Sequence, residues 1–387
     1  MDITPLPFRA GLAEYQKQAV ELLDAWTAAD PTAIRIVREK HPRFLDPRIP
    51  WLPRRLSEDE LRSAAIDLPD AQLTIARWYD FDSWARLAEH VDAVTREGSP
   101  VSQFEAAVEA VTGGDAATLV SLLREHPELV RARSTRITHF DPPAHRATLL
   151  HYVAANGVEE YRQKTPGNAV GIATTLLQAG ADVDALADMY GGRCTTMSML
   201  VSSSHPAKAG VQVALVDMLI DFGAAVEARG TGAWTSPLMT ALTFGFADAA
   251  EALVRRGARV DTVAAAAGLG RLADARLLLA TSTGEDRHRA LALAAQLGRV
   301  EIVRLLLDAG EDPNRYNLAG GHAHSTPLHQ AVWAGHDLVV RLLVERGARL
   351  DIEDTIHHGT PLGWAMYGGR TDIAEYLRAQ ETKAGEA

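Results

Sequence analysis

One short phrase that returns at a fixed spacing constrains the fold of this chain more than any other feature. It reads STPLHQA at residues 325–331 and GTPLGWA at residues 359–365, so that Thr326 and Thr360 lie 34 residues apart. Each copy leads through a glycine into an apolar segment with helical spacing. Such a period predicts a stack of similar helical repeats, in which each repeat buries its apolar face against its neighbours.

The repeat that begins at Thr326 serves as a template for the others. Pro327 fixes the backbone at the start of a first helix, and Gly335 can end that helix in a left-handed conformation. The second helix carries an apolar stripe formed by Leu338, Val339, Leu342 and Leu343. Further copies of the template are found at residues 290–314, 263–279, 236–261, 195–227, 148–184 and 104–130. We therefore predict about eight repeats between residues 99 and 380.

The TPLH phrase and the period of about 33 residues resemble the ankyrin repeat family. The resemblance implies an all-α fold, an ankyrin-repeat α-solenoid with short β-hairpin fingers between its repeats. His151 and His329 occupy the histidine position of the phrase, where the ring is expected to tie adjacent backbone groups together. A solenoid of this family implies a binding surface, which by itself does not identify the ligand.

Residues 1–98 lack the repeat and are predicted to form a helical cap. Apolar residues follow helical spacing over residues 15–37 and 71–91. The Pro- and Arg-rich segment 41–53 is predicted to be a loop with little regular structure. This part is similar to a helical segment that precedes the repeats in some bacterial ankyrin proteins, which implies that it covers the first repeat. Residues 381–387 are expected to form a charged, solvent-facing tail.

The charge and cysteine content restrict the partners and the compartment. The net charge of −11 argues against binding to nucleic acid or to anionic membranes and favours a basic protein partner. The single cysteine, Cys194, excludes an intramolecular disulfide, and together with the lack of a signal-peptide pattern it predicts a cytoplasmic location. A predicted helix start beside Cys194 would lower the pKa of its thiol, but a small buried residue at a repeat junction is the favoured interpretation.

The favoured function is that of a protein- or peptide-binding scaffold. The resemblance implies a concave groove lined by the first helices and the fingers. Outward-facing positions of the first helices supply the predicted groove residues, which are Trp333, Trp364, Tyr367, Phe244, Tyr152 and Asn156. The first three should lie close together and act as hydrophobic anchors, because aromatic rings bury a large area at a small entropic cost. The competing interpretation of Trp364 is that it packs inward.

Two insertions, at residues 158–168 and 202–211, suggest an alternative function. They interrupt neighbouring repeats, so that stacking should bring them together into a pocket or a lid. The alternative is a small-molecule-binding or enzymatic ankyrin protein, with a His-rich pocket formed by residues 139–168 and 194–212. The candidate pocket residues are His139, His145, His151, Tyr161, Arg162, Asn168, Ser204 and His205.

The chemistry of that alternative pocket stays open. A histidine base beside a tyrosine or an aspartate is a workable acid–base pair. However, the sequence contains no hydrolase, phosphate-binding, metalloprotease or kinase signature, and the histidine spacings match no zinc pattern. We therefore predict no metal and no cofactor, and the sequence alone does not decide whether the chain is an enzyme.

Overall fold

The computed structural model describes residues 2–232 and 235–385, so that residues 386–387 of the predicted tail lie outside the described residues. Its described secondary structure is mostly helical, which confirms the predicted all-α class. None of the described helices is both long enough and apolar enough to span a bilayer. The chain divides into two bodies. The N-terminal body is Met1–Ala225 with Arg229–Thr235, and the C-terminal body is Val226–Ala228 with Ser236–Ala387.

The N-terminal body begins with helices that pack around a core of their own. They are α1 (Leu12–Thr27), α2 (Pro31–Lys40), α3 (Glu58–Ser63), α4 (Leu68–Trp78) and α5 (Trp84–Thr95). The helical spacing of residues 15–37 is divided between α1 and α2, because the Asp30 carboxylate accepts hydrogen bonds from the backbone of Thr32 and Ala33 and caps α2. Leu22 and Ile75 are fully buried where these helices meet.

The segment 41–53 is an ordered hairpin, so the prediction of an irregular loop is wrong. After a short 3-10 turn at Pro42–Phe44, strand β1 (Leu45–Asp46) pairs antiparallel with strand β2 (Ile49–Pro53). The proline content hid the strands, since proline usually interrupts a sheet. A two-stranded hairpin leaves one edge of β2 without a partner, and there proline sacrifices no hydrogen bond.

Three helix pairs follow in the N-terminal body. The paired helices are α6 (Pro100–Gly113), α7 (Ala116–Glu125), α8 (Leu149–Val153), α9 (Ala169–Gln178), α10 (Thr196–Leu200) and α12 (Gln212–Asp221), and the short helix α11 (Ser204–Lys208) is additional to them. First helices stack as α6, α8, α10 and second helices as α7, α9, α12. The insertion 158–168 separates α8 from α9, and α11 lies in the insertion between α10 and α12. Asn156, just before the first insertion, donates from Nδ2 to Ser202 Oγ at the start of the second insertion at 2.7 Å.

The C-terminal body continues the same pattern with five helix pairs among its described residues. They are α13 (Pro237–Thr243), α14 (Ala247–Arg255), α15 (Val263–Leu269), α16 (Leu272–Leu279), α17 (Gly284–Gln296), α18 (Val300–Asp308), α19 (Pro327–Ala334), α20 (Asp337–Glu345), α21 (Pro361–Tyr367) and α22 (Thr371–Gly385). Each odd-numbered helix packs against the next odd-numbered one. Of the described fingers in both bodies, only that formed by β3 (Ala187–Met189) and β4 (Gly192–Cys194) has paired strands.

The histidine of the TPLH phrase links neighbouring repeats, as predicted. His329 Nδ1 accepts a hydrogen bond from Thr326 Oγ1 at 2.8 Å, which caps the start of α19. Its Nε2 lies 3.1 Å from the carbonyl oxygen of Gly359 in the next repeat and donates to it. His151 is placed in the same way against the Cys194 carbonyl at 3.3 Å. These buried rings therefore have a structural role.

A buried group of charged side chains joins the insertion 158–168 to the first repeat. Arg162 Nη1 lies 2.6 Å from Glu105 Oε2, and Arg136 lies 3.7 Å from the carboxylates of both Glu105 and Glu159. We call Glu105, Arg136, Glu159 and Arg162 the buried quartet; all four side chains are buried. Burial alone would raise the pKa of Glu105, but the charges of Arg162 and Arg136 outweigh it and lower that pKa to about 2.

Aromatic rings from the N-terminal helices cover the buried quartet. Tyr161, beside Arg162, packs against Trp78 with 6.0 Å between ring centroids and against Tyr79 with 5.3 Å. The guanidinium carbon of Arg136 lies 4.5 Å from the ring centroid of Phe81. Residues 78–81 therefore shield these charges from water, which strengthens the attraction between them.

A second contact, centred on Asp80, holds the insertion against the N-terminal helices. The buried carboxylate of Asp80 accepts a hydrogen bond from the backbone of Glu160 at 2.6 Å. Lys40 Nζ contacts the Glu160 carboxylate at 2.5 Å, and the backbone of His139 donates to the Asp80 carbonyl at 3.2 Å. Burial raises the pKa of the Asp80 carboxyl to about 7, although the charge of Lys40 opposes this.

We predict that Glu105→Gln lowers the free energy of unfolding by about 3–5 kcal/mol, because it leaves two buried arginines with too little negative charge. Glu109→Gln is the matched control, since Glu109 binds the same Arg162 at 3.1 Å from a partly exposed position. It should cost about 1 kcal/mol or less. Urea denaturation measures both values, and equal losses would show that burial of the quartet is unimportant.

Asp80→Asn should change how stability depends on pH. The raised pKa means that the folded state binds the proton more tightly than the unfolded state, whose ordinary value is 3.8. The resulting stabilisation is complete below that value and is lost as the pH rises through about 7. Between pH 5 and pH 8 the variant should gain about 2–3 kcal/mol relative to the wild type in urea unfolding. Parallel pH profiles of the two proteins would refute the assignment.

Candidate functional site

Three aromatic side chains form the most exposed ring cluster of the C-terminal body among its described residues. We call Trp333, Trp364 and Tyr367 the aromatic patch. The rings of Trp333 and Trp364 meet edge to face with 6.0 Å between centroids, and those of Trp333 and Tyr367 are stacked at 6.3 Å and 18°. They come from α19 and α21, which are equivalent helices of adjacent repeats.

The three rings differ in how far they reach into solvent. Tyr367 is 88% exposed and Trp333 is 48% exposed, with Met366 exposed beside them. Trp364 is half-buried and packs edge-on against His329 at 5.1 Å. Trp364 therefore forms the base of the patch, while Trp333 and Tyr367 are its solvent-exposed rings.

Asp354 fixes the orientation of Trp364. The fully buried Asp354 carboxylate accepts a hydrogen bond from Trp364 Nε1 at 2.9 Å and from the backbone of His357 and Gly359 at 2.6 and 2.9 Å. Burial would raise the pKa of this carboxyl, but these hydrogen bonds outweigh it and lower the pKa. The carboxylate therefore stays ionised near neutral pH and holds the indole in one position.

Arg370 holds the end of the helix that carries Trp333. Its guanidinium donates from Nη2 and Nε to the Trp333 carbonyl oxygen at 2.7 and 3.2 Å. Gly335 follows with φ of 81°, a left-handed conformation that ends α19. A positive charge at the carboxyl end of a helix also interacts favourably with the helix dipole. The backbone beneath Trp333 is thereby fixed, although no sequence pattern singled out Arg370.

The other predicted groove residues lie elsewhere. Phe244 is partly exposed at the end of α13, and Tyr152 and Asn156 belong to the N-terminal body. Tyr152 is only 1% exposed, so its assignment to an open groove is corrected. The insertion covers it, because Glu159 accepts a hydrogen bond from its hydroxyl at 3.3 Å. Asn156 is held by Ser202 and by the hydroxyl of Tyr190 at 2.6 Å.

A long finger, residues 310–326, folds back across the first helices of the C-terminal body. His322 Nε2 lies 3.1 Å from the carbonyl oxygen of Thr243 at the end of α13 and donates to it. The same oxygen accepts a hydrogen bond from Gln296 of α17 at 2.7 Å. Arg289, also on α17, donates to the Ala319 carbonyl in the finger. The finger therefore contacts α13 and α17, and it also reaches the aromatic patch, where the ring of His324 lies 5.8 Å from that of Trp364.

The histidines and polar residues of the alternative pocket are held in separate structural contacts. His139 and His145 pack on either side of Phe140, at 4.3 and 5.7 Å, and burial lowers the pKa of His139 to about 4. His151 caps α8, and Tyr161 and Arg162 belong to the contacts around the buried quartet. The remaining candidates are Asn168, which donates to the Gly114 carbonyl at 2.8 Å, and Ser204 and His205, which are exposed on α11.

None of these eight side chains lines the cavity found in the N-terminal body. That cavity has a volume of about 460 Å³ and is lined by Val130, Arg131, Arg133, Thr148, Gly180, Asp182 and Ala185. Over the described part of the chain, no three His, Cys, Asp or Glu side chains are placed to hold a metal ion.

Burial raises the pKa of the Cys194 thiol to about 11. The interpretation of Cys194 as a small buried residue is therefore confirmed, and its interpretation as a reactive thiol is wrong.

Comparisons with known proteins identify the repeats. A family model of ankyrin repeats matches residues 207–317, 263–354 and 316–385. Ankyrin repeat and SAM domain-containing protein 6 of Mus musculus is 44% identical over 72 residues, and the Rattus norvegicus protein of that name is 42% identical over 72 residues. Each match covers 19% of this chain but only 8% of the relative.

A solved structure, the crystal structure of the human ASB11 ankyrin repeat domain, covers 67% of this chain and 90% of that chain at 21% identity, with a TM-score of 0.34. Ankyrin repeats generally mediate contacts between proteins, which supports an interaction scaffold in general terms. Residues 207–385 match the family model, and His329 links successive helix pairs within them, so this part of the chain consists of ankyrin repeats.

Proposed function

We propose that the chain binds a peptide segment of another protein on the aromatic patch. The observation that carries this proposal is the exposure of two stacked rings, Trp333 and Tyr367, on adjacent first helices. Exposed aromatic side chains that cluster are typical of interfaces, and tryptophan and tyrosine are enriched among the residues that dominate binding energy.

Part of the patch is held in place before a ligand arrives. Asp354 holds the Trp364 side chain, and Arg370 holds the backbone of Trp333. Each large ring that becomes covered buries roughly 150–250 Å². Because these groups are fixed in advance, less of this gain is offset by conformational entropy lost on binding. The patch therefore suits a segment with an exposed apolar or aromatic side chain.

Charge supports a basic partner. The chain has a net charge of −11, so that a positively charged segment is attracted over longer distances than the contacts themselves. Such steering acts mainly on the association rate and weakens as salt is added. The apolar contacts on Trp333 and Tyr367 then determine how long the complex lasts.

The test is to select peptides from a random displayed library on the immobilised protein and to measure their affinity for variants. Tyr367→Ala and Trp333→Ala should each weaken binding about tenfold or more, because they remove anchor rings. Leu277→Ala is the control: this side chain of α16 is 77% exposed but lies outside the patch. Its affinity should match that of the wild type.

Since Tyr367 is almost fully exposed, its removal should leave the melting temperature unchanged, and a loss of affinity then reports on the surface itself. Selected peptides that bind the Tyr367→Ala and Trp333→Ala variants as tightly as the Leu277→Ala variant would show that the patch is not the binding surface.

A further inference from the structure

A second exposed aromatic residue lies far from the repeats in sequence. Trp51, on β2, is 73% exposed, whereas Phe44, which directly precedes β1, is buried. The exposed arginines of the same segment are Arg43, Arg48, Arg54 and Arg55. We call residues 42–55 the basic hairpin.

The basic hairpin, together with residues 35–41 that precede it, reverses the charge of the chain. Residues 35–55 contain seven Lys or Arg residues against two Asp or Glu residues, which gives a local net charge of +5. The whole chain has a net charge of −11, so the remainder carries −16. A local reversal of this size creates a positive potential around one exposed indole.

The arginines are positioned by contacts within the N-terminal body. Arg43 lies with its guanidinium carbon 5.1 Å from the ring centroid of Phe44 and donates to the Ala65 carbonyl at 2.8 Å. The backbone of Arg54 donates to the Phe44 carbonyl at 2.7 Å, which fixes the end of β2. The hairpin is therefore a preformed surface.

Among the described side chains, carboxylates already face these arginines. Asp46 lies 3.3 Å from Arg48, and Asp70 lies 3.5 Å from Arg43. Both arginines are exposed in these pairs, and exposed ion pairs contribute little, about 0–1 kcal/mol. An incoming carboxylate can therefore join or replace them at small cost. These pairs also show that the arginines bind carboxylates.

The hairpin does not offer its backbone for strand addition. Pro50 and Pro53 lie on β2 and have no N–H to donate to another strand. A ligand must therefore recognise the side chains, namely the indole of Trp51 and the guanidinium groups around it.

We propose that the basic hairpin is a docking surface for an acidic segment of a partner protein that carries an apolar residue for Trp51. A membrane or a nucleic acid duplex is a large polyanion, and the remaining charge of −16 would be repelled by it. A short acidic segment meets only the hairpin. Aspartate and glutamate pair with the arginines, and the apolar side chain covers the indole.

The test uses a short fluorescein-labelled peptide of Asp and Glu residues with one central Leu, measured by fluorescence anisotropy with the full chain. Binding should be saturable and should weaken as salt rises to about 0.15 M and above. It should weaken about tenfold or more in Trp51→Ala and in the double variant Arg48→Gln, Arg54→Gln. A peptide with Gln in place of every acid should bind as weakly as these variants bind the acidic peptide.

Two controls separate this surface from others. Arg259→Gln removes a largely exposed arginine of the C-terminal body and should leave peptide affinity unchanged. Tyr367→Ala should also leave it unchanged, so that this proposal and the one for the aromatic patch succeed or fail separately. Far-UV circular dichroism and the melting temperature confirm that each variant is folded.

Several outcomes would overturn the proposal. One is the absence of saturable binding, and another is equal affinity of the wild type and the Trp51→Ala variant. Tighter, Trp51-dependent binding to phosphatidylserine-containing vesicles or to a DNA duplex would assign the hairpin to a lipid or nucleic acid surface instead. Dimerisation of the chain that disappears in Trp51→Ala would assign it to a second copy.

Discussion

The buried attraction between Arg162 and Glu105 is the interaction on which the arrangement of the N-terminal body depends. Taking two charges out of water is costly, and the contact is favourable only when further charges and hydrogen bonds surround it. Here Arg136 and Glu159 complete the buried quartet, and the rings of residues 78–81 close it from the side of the N-terminal helices. The insertion 158–168 is therefore part of the junction between those helices and the first repeat.

The C-terminal body has regular repeats, and hydrogen bonds between repeats hold its helices in place. His329 links one helix cap to the next repeat, and Arg370 performs a related task at the opposite end of the first helix. These backbone links and the apolar stripes hold the stack together. The outward-facing positions of α19 and α21 are therefore not needed for its stability. Trp333 and Tyr367 occupy those positions, and their exposure is the basis of the proposed binding role.

The sequence was sufficient for the fold because the period repeats one local arrangement, and the TPLH histidines could be interpreted from that arrangement alone. It also indicated that Trp333, Trp364 and Tyr367 lie close together on adjacent repeats, with Trp333 and Tyr367 at equivalent positions. The sequence did not predict that Tyr152 is buried, because the template of a regular repeat contains no insertion to cover that ring. The buried quartet was out of reach as well, because its members come from distant parts of the chain and no spacing relates them. The hairpin at 45–53 was obscured by its prolines.

Hydrogen exchange of the wild-type chain tests most directly whether the buried quartet joins the N-terminal helices to the repeats. Amide exchange reports the free energy of local opening segment by segment. If the account is right, α4, α5 and the backbone of Glu160 should be protected to a degree similar to α6 and α8. The reason is that the contacts of the insertion 158–168 hold all of these segments together. Rapid exchange of α4, α5 and Glu160 beside well-protected α6 and α8 would show that the N-terminal helices open independently and would contradict the account.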